Sequence, residues 1–600
     1  MNGDSRKLWQ LLVIALVLMI GGSVLGSWIN SGAGAATVSE VKIFAPNGYV
    51  VSAYLYTPDG AAPDNPVPAI LASHGLNNQK AYMANTALEF ARRGYAVLSM
   101  DSTGHGDSNG LNCDQGCGAA DALSYLRALP FVDGDNVGLV GMSQGGFRAA
   151  NAAAHGIPDG YRSIFYMESE CTLPGSPDLS PCEGLKNVAF NIGSFTELGG
   201  MVLVGTGAQV PTSPVLQPVF GTTEPIVVDR LYGSIADGTA RILYQPYEEH
   251  AGSTDSRAAI GNAIDWMQQT LEGGSGLPPA SQIWPWKLFG TATALIGAIL
   301  FIFPMGSLLL QTSYFAPLRQ STPPFKGSKG AGWWIGAFLT TAIGPLLYLW
   351  VWKGMFFGAW LPPNTLWPQS FTNIYMVWAV VVAVITIVLI LANHFILNRK
   401  AEATAYNYGL TSDDGKLDWG TIGKSILLAV LTLLPIHLVL AFVTGALKVD
   451  FRAWVVALLP MSAVRFQAFL AYLIPFAIYF VPLGILFAGF LRARNGTASL
   501  RREMIVNAVV LTLGALVWLL VFYVPLMAGG SQIIAGDPLG ALAAGLGGIY
   551  YIPLLVLWPL VAFLYTYFFS KTGRIYVGAS LVTLFMVWYL AAFGVFDVVP

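Results

Sequence analysis

A serine flanked by glycines at residues 141–145 is the part of this chain best suited to chemistry. The run reads GMSQG, with Ser143 at its centre, and it lies between a short apolar stretch and a helix-like segment that ends at His155. Glycines two residues to either side let a chain turn sharply from strand to helix, so that the serine hydroxyl protrudes toward a substrate carbonyl. The pattern predicts that Ser143 is a nucleophile.

A serine hydroxyl attacks efficiently only when a base removes its proton. His250 is the predicted base, in a loop after the last strand-like segment and just before the final amphipathic helix of this region. His74 and His105 follow the third and fourth strand-like segments, in glycine-containing loops. His155 is expected to cap a helix.

Alternating strand-like and helix-like segments between residues 37 and 271 must position these side chains. The predicted strands are Val38–Phe44, Val50–Tyr56, Ala69–Ser73, Ala96–Asp101, Val137–Val140, Ser163–Met167, Val188–Ile192 and Ala240–Gln245. Helical segments separate most of them, and this alternation indicates crossover connections and a mainly parallel sheet with helices on both faces. The first two strands are expected to form an antiparallel lead-in.

Four motifs together resemble the α/β-hydrolase fold. They are the SHG run at 73–75, DSTGHGDS at 101–108, GMSQGG at 141–146 and the late His250. The stretch from Asp121 to Val140 resembles the dienelactone hydrolase and prolyl-oligopeptidase-like branch. The resemblance covers about residues 37–272 and implies the chain order serine, acid, histidine. It also implies that the triad histidine lies where His250 does, and that His74 and His105 shape their loops.

The resemblance implies that the triad acid follows the seventh strand, typically as an Asp three residues after a Gly. Here Thr196 holds that place after Gly193, and Glu197 comes next. Glu197 is therefore the predicted acid. Glu168, at the end of the sixth strand, is the alternative, and Asp229 and Glu224 are further options.

An oxyanion hole needs two backbone N–H groups that point at the developing negative charge. The resemblance implies that Leu76 and Gln144 supply them, and that Asp101 holds the turn that follows it. The chemistry expected from these residues needs neither a metal nor another cofactor.

The second half of the chain has the composition of a membrane protein. Over the whole chain only 11% of the residues are charged, against about 25% in soluble domains, and from Ser281 onward only eight residues are Asp or Glu. Apolar runs long enough to cross a bilayer recur, at about 8–28, 286–311, 331–353, 371–396, 424–446, 466–491, 503–527, 546–570 and 575–597. The segment 453–466 is apolar but interrupted, and a re-entrant or interfacial position is expected. No basic stripe for nucleic acid is present.

Lysine and arginine residues indicate the orientation of these spans. With a cytoplasmic N-terminus, the connections of the later spans that are expected inside hold 13 Lys and Arg, and those expected outside hold 5. Such an excess is typical of cytoplasmic loops. We predict an uncleaved transmembrane anchor at 1–36, with a cleaved signal peptide as the alternative because the run AGA at 33–35 suits a signal peptidase. An extracytoplasmic hydrolase domain is predicted at 37–275 and a polytopic membrane domain of about eight helices at 276–600. The C-terminus is then outside.

All four cysteines fall in the segment expected to be exported, where disulfides are stable. Pairing of Cys113 with Cys117 and of Cys171 with Cys182 is favoured, and the two other connectivities stay open. The loops at 171–182 and 199–229 are expected to roof the site and select the substrate.

These features predict a membrane-bound serine hydrolase that cleaves an ester or amide bond of a small-molecule, lipid or peptide substrate. Two alternatives stay open. One is a transporter or membrane-assembly protein whose exported domain only binds a ligand, and the other is an acyltransferase with a membrane acceptor.

Overall fold

An eight-stranded sheet forms the N-terminal part of the computed structural model, which describes residues 3–111, 113–358, 360–397, 401–532 and 538–598. The strands are β1 (Ala36–Phe44), β2 (Val50–Pro58), β3 (Val67–Ser73), β4 (Ala96–Met100), β5 (Val132–Met142), β6 (Ser163–Met167), β7 (Val188–Asn191) and β8 (Arg241–Tyr244). Their spatial order is β1-β2-β4-β3-β5-β6-β7-β8.

The strand directions confirm the predicted α/β-hydrolase fold. β2 is antiparallel to both β1 and β4, whereas β3 to β8 all run parallel. Ser73 at the end of β3 pairs with Gly141 near the end of β5. The segments after these two strands therefore meet at one edge of the sheet, where loops of parallel sheets usually carry the active site.

Helices cover both faces of this sheet. They are α2 (Ala84–Ala91), α3 (Ala119–Arg127), α4 (Asn151–Gly156), the short α5 (Leu216–Val219) and α6 (Arg257–Thr270). Ala122, Leu123 and Leu126 of α3 are buried in one core, and Ile260 and Ile264 of α6 are buried in the core on the other face.

The remaining helices are long and apolar, as predicted for a membrane domain. They are α1 (Gly3–Asn30) before the sheet, then α7 (Trp284–Leu309), α8 (Ala331–Gly358), α9 (Ser370–Ala392), α10 (Trp419–Leu447), α11 (Ala463–Ile485), α12 (Leu500–Met527), α13 (Pro538–Tyr551), α14 (Leu554–Thr572) and α15 (Tyr576–Phe593). Within the described residues, nine of these helices, all but α13, are long and apolar enough to span a bilayer.

Small residues join the first helix to the rest of the bundle. A Cβ added to Gly22 of α1 would lie 2.5 Å from the backbone oxygen of Gly290 in α7, and one added to Gly297 would lie 2.7 Å from the oxygen of Ala15. Two helices approach this closely only where small residues face each other. The first helix is thus part of the bundle.

Two segments differ from simple spans. The predicted span at 546–570 is divided into α13 and α14, because Pro553 lacks the N–H that a continuous helix would use. The segment 453–466 contains the end of a small hairpin, β9 (Phe451–Ala453) with β10 (Val456–Leu458), and the start of α11.

The carboxyl edge of the sheet faces the membrane helices. The Arg465 side chain of α11 donates to the backbone oxygen of Gly106, at 3.1 Å from Nη2. After α15, Val595 N donates to Asn77 Oδ1 at 2.8 Å, and Phe596 N donates to the oxygen of Gly104 at 2.8 Å. These contacts bring the loops that hold the candidate site against the bundle.

Candidate active site

Ser143 occupies a sharp turn between β5 and the helical segment that continues into α4. Its φ is +51°, in the left-handed region that non-glycine residues rarely adopt. Ser143 N donates to Met167 O at 3.0 Å, and Gly146 N donates to Ser143 O at 2.8 Å. The strained turn and its hydrogen bonds are those expected of a nucleophile elbow.

Gly145 is required by close packing of the elbow. A Cβ at this position would lie 2.3 Å from Ser73 O and 2.6 Å from His74 O, both rigid backbone atoms.

Gly145→Ala should therefore reduce the free energy of unfolding by about 2 kcal/mol or more and lower Ser143 reactivity. Thermal unfolding in detergent measures the first effect. Gly276→Ala is the control, because its added Cβ would meet no atom within 4 Å, and equal stability of the two variants would contradict the prediction.

His250 lies in the loop after β8 and lines the same cavity as Ser143. Its side chain is buried. Its backbone N–H donates to Glu197 Oε2 at 2.8 Å, whereas its ring Nδ1 lies 3.3 Å from Glu168 Oε2. Among the described residues, Nδ1 has no partner in hydrogen-bond geometry, so a small rotation of the ring is needed to form the bond with Glu168.

Glu168 directly follows β6 and has a φ of +46°. Its Oε1 accepts from Gly193 N at 2.5 Å, and its Oε2 accepts from the Thr196 hydroxyl at 2.8 Å. Thr196 is the residue at the place where the resemblance implies an acid. It holds the Glu168 carboxylate beside the histidine ring, in the position from which an acid orients the base.

Glu197, the acid predicted from sequence, has a different environment. Its Oε1 accepts from the Tyr523 hydroxyl of α12 at 2.5 Å, and its backbone oxygen accepts from Gln532 Nε2 at 2.6 Å. Because Glu197 comes one residue after Thr196, its carboxylate reaches the backbone of His250 and a membrane helix. The geometry favours Glu168 over the predicted Glu197 as the partner of the ring. Within the described part of the chain, Asp229 and Glu224, the other two options, form no ion pair with the ring of His250.

Burial shifts the pKa of each group at this site. It lowers the pKa of His250 to about 4, and it raises the pKa of Glu168 to about 8 and that of Glu197 to about 7. Each shift opposes the charged form, which is costly in a poorly solvated site. His250 is consequently held as a neutral imidazole, the form that accepts a proton.

The pH dependence of turnover should identify the acid. The competent form combines neutral His250 with ionised Glu168, so kcat/KM should rise as pH increases through about 8, where burial places the pKa of Glu168. Glu168→Gln removes this titration. Its kcat/KM should be lower than that of the wild type and should not change with pH above about 5. Glu197→Gln should keep the rise. A rise near pH 8 that persists in Glu168→Gln would contradict the assignment.

The other candidate histidines hold loops, as expected. His74 Nε2 accepts from Ser102 N at 3.0 Å, and its Nδ1 lies 2.8 Å from Gly75 O. His105 Nε2 accepts from Asn77 N at 3.2 Å. Both imidazoles are buried, and these contacts occupy both nitrogens of His74.

The predicted oxyanion donors lie at the end of the elbow strand and of its neighbour. Gly75 approaches so closely that an added Cβ would lie 3.1 Å from Ser143 Cβ, which brings the next residue, Leu76, into the cavity wall. The hydroxyl of Tyr550 in α13 donates to Leu76 O at 2.9 Å and fixes this peptide. Gln144 directly follows the nucleophile in the turn. The backbone N–H groups of Leu76 and Gln144 stay the predicted donors.

The membrane half forms most of the wall opposite Ser143. The cavity has a volume of about 90 Å³, and its wall includes Phe371, Thr372, Tyr375, Arg452, Ile549, Tyr550 and Tyr589. The described lining includes no residue of the 171–182 and 199–229 loops, which were predicted to roof the site. Instead, Leu198 and Met201 pack against Leu542 of α13.

Both favoured disulfides are present. Cys113 is bonded to Cys117, and Cys171 is bonded to Cys182. Each closes a short loop near the carboxyl edge of the sheet, and the preferred pairing is confirmed.

Comparison with known sequences finds similarity to parts of two curated proteins and to one family model. Residues 47–168 match the model of the X-Pro dipeptidyl-peptidase (S15) family. The cocaine esterase of Rhodococcus sp. (strain MB1 Bresler) is 30% identical over 179 residues, which are 29% of this chain and 29% of that protein. Thiohydrolase aneE of Aspergillus aculeatus is 30% identical over 124 residues, 20% of this chain and 37% of that protein. The match thus spans about a third of each relative's length.

Solved structures also align with this half of the chain. A dienelactone hydrolase-like promiscuous phosphotriesterase from metagenomic libraries is 16% identical, with a TM-score of 0.29, and the alignment covers 40% of this chain and 100% of that one. The sequence matches to an esterase and an S15 peptidase model support the resemblance to α/β-hydrolases.

Proposed function

We propose that this protein is a membrane-bound serine hydrolase that cleaves ester or amide bonds through an acyl-Ser143 intermediate. One observation carries the proposal: Ser143, in a left-handed elbow, and His250, beside the carboxylate of Glu168, line the same cavity. A domain that only binds a ligand needs neither the strained elbow nor the buried base.

The proposed reaction has two halves. His250 accepts the Ser143 hydroxyl proton while the oxygen attacks the carbonyl carbon, and the carbonyl oxygen becomes an oxyanion held by the N–H groups of Leu76 and Gln144. Collapse breaks the bond to the leaving group, which takes the proton from His250. Water then attacks the acyl-Ser143 by the same route and releases the acid. Glu168 stabilises the imidazolium in both halves.

We assign the hydrolase domain, residues 37–275, to the extracytoplasmic face. The anchor at 1–36 and the membrane domain at 276–600 then place the N-terminus inside and the C-terminus outside. Two contacts support the placement of the two termini on opposite faces. Ser5 Oγ donates to Gln311 Oε1 at 2.7 Å, near the start of α1 and the end of α7, whereas Phe596 N donates to Gly104 O at the other face. The bias of Lys and Arg toward inner loops supports a cytoplasmic N-terminus.

The substrate class follows from the site and from the partial relatives. Their names refer to an X-Pro dipeptidyl-peptidase, a cocaine esterase and a thiohydrolase, and acyl transfer to a serine suits esters, thioesters and amides alike. We therefore propose a small-molecule, lipid or peptide substrate with an acyl group that enters the cavity between the two halves.

Acyl transfer is the second candidate. Residues of α9, α13 and α15 line the cavity at Ser143, which is buried, and a buried acyl-enzyme favours an acceptor that arrives from the membrane. A product analysis separates the two functions, because hydrolysis releases a free acid and transfer releases a second acyl compound.

An impermeant fluorophosphonate probe tests both nucleophile and orientation. Intact cells that carry the wild-type protein should be labelled, and cells with Ser143→Ala should not. Permeabilised cells serve as the control for expression and folding. Labelling that appears only after permeabilisation would contradict the orientation, and equal labelling of both proteins would contradict the nucleophile.

A further inference from the structure

One face of α9 lines three cavities in succession. The cavity at Ser143 is lined by Phe371, Thr372 and Tyr375. A second cavity is lined by Tyr375, Trp378 and Ala379, and a third by residues between Val382 and Asn393. From Phe371 to Asn393 the helix rises about 33 Å, close to the ~30 Å thickness of a hydrocarbon core. The row therefore runs from the catalytic serine through the depth of the bundle.

The cavities share walls. Tyr375, Pro553, Tyr589 and Leu590 line both the cavity at Ser143 and the second cavity. Tyr479 of α11 lines both the second and the third. Because neighbouring cavities have these wall side chains in common, we infer that rotations of the side chains join the row into one channel.

Most of the lining of the row is apolar, and two of its polar side chains bind backbone oxygens. The Tyr375 hydroxyl donates to Tyr550 O, and Trp378 Nε1 donates to Gly344 O at 2.9 Å. At the far end, Asn393 Nδ2 donates to Ser328 Oγ at 2.8 Å. A row with apolar walls, a reactive hydroxyl at one end and a polar pair at the other matches a chain of methylene groups.

We propose that this row accommodates the long hydrocarbon chain of an acyl substrate, whose carbonyl lies at Ser143 and whose tail extends along α9. The inference rests on the proposed function and narrows its substrate to a long-chain ester or thioester. Burial of each additional CH₂ contributes about 0.8 kcal/mol, so a long tail gains affinity that a short one lacks.

The middle cavity is the smallest of the three. It has a volume of about 20 Å³, against about 90 Å³ at Ser143 and about 270 Å³ at the far cavity. Met586, a flexible side chain that adapts to irregular spaces, lines it together with Tyr479 and Leu557. Entry of a tail requires these side chains to move, and the far cavity provides the space for its end.

Two valines of α9 provide a matched test. Val382 is buried and lines the far cavity, whereas Val384 is 54% exposed on the lipid-facing side of the same helix. Val382→Phe should fill the space for the tail, and Val384→Phe adds the same ring outside it. The probes are ethyl and hexadecyl fluorophosphonates, reacted with the full-length protein in detergent, and the readout is the second-order rate of Ser143 labelling.

The expected result is a hexadecyl rate at least tenfold above the ethyl rate in the wild type and in Val384→Phe. In Val382→Phe this preference should fall at least tenfold while the ethyl rate stays unchanged, which also shows that the variant is folded. Ethyl labelling of Ser143 without chain-length preference, or with equal preference in both variants, would overturn the tail site and leave the hydrolase proposal intact. If neither probe labels Ser143 in the wild type, the proposed function itself fails, and the tail site fails with it.

Discussion

Ser143→Ala is expected to lower kcat for a short activated ester by about 10⁵-fold, because removal of the nucleophile of a serine triad leaves only the contribution of binding and oxyanion stabilisation. The elbow geometry, with φ at +51° and the hydroxyl at a cavity wall, is the physical basis. Release of the alcohol, measured with purified full-length protein, provides the readout.

An exposed serine provides the control for this measurement. Ser124 lies on the outer side of α3 and its hydroxyl binds only the preceding turn, at Ala120 O. Ser124→Ala should therefore keep the wild-type rate. If Ser143→Ala retained the activity of Ser124→Ala, Ser143 would not be the nucleophile.

Glu168→Gln is expected to lower kcat by about 10⁴-fold, the cost of losing the carboxylate that orients a triad histidine. The amide keeps the size of the side chain and can still accept from Gly193 N, which now donates to Glu168 Oε1 at 2.5 Å. Fold and cavity should thus persist, and the loss should appear in the rate of acylation.

Glu197→Gln is the matched comparison, because it makes the same change in a carboxylate that binds the backbone of His250 and not its ring. We expect a loss of about tenfold or less, from weaker positioning of the His250 loop and of α12 through Tyr523. Both variants can be measured in the same burst and steady-state assay. A larger loss in Glu197→Gln than in Glu168→Gln would return the assignment to Glu197.

The sheet and its elbow could be predicted because their determinants are local. Each of the eight predicted strands is present, since short apolar runs bounded by turn residues define buried strands. Ser143 could be predicted from the glycines around it, and His250 from its place after the last strand. In both cases the neighbouring residues in the chain determine where the side chain lies.

The acid could not be settled in the same way. Glu168 and Glu197 both follow strands at the same edge of the sheet, and their roles depend on which carboxylate reaches the imidazole. The hydroxyl of Thr196, which bonds Glu168, favours Glu168 for this role. That contact joins residues 28 positions apart, and one sequence has no periodic signal for such a pair.

The wall opposite Ser143 is the largest feature that the sequence left unpredicted. Hydropathy identifies the spans, because the bilayer dictates their length and composition. It does not predict which helix faces the sheet. Tyr550 reaches Leu76 across 474 positions of chain. The available signal was the break at Pro553, since an interrupted helix in a bundle often lines a site.

Mapping of the covalent adduct tests the proposed nucleophile and base together. The full-length protein is treated with a fluorophosphonate, digested and analysed by peptide mass spectrometry. We expect one adduct, on Ser143, which forms at least about a hundredfold more slowly in His250→Ala because the hydroxyl has lost its base. An unmodified Ser143 in the wild type, or equal rates in the wild type and His250→Ala, would exclude this pair as nucleophile and base.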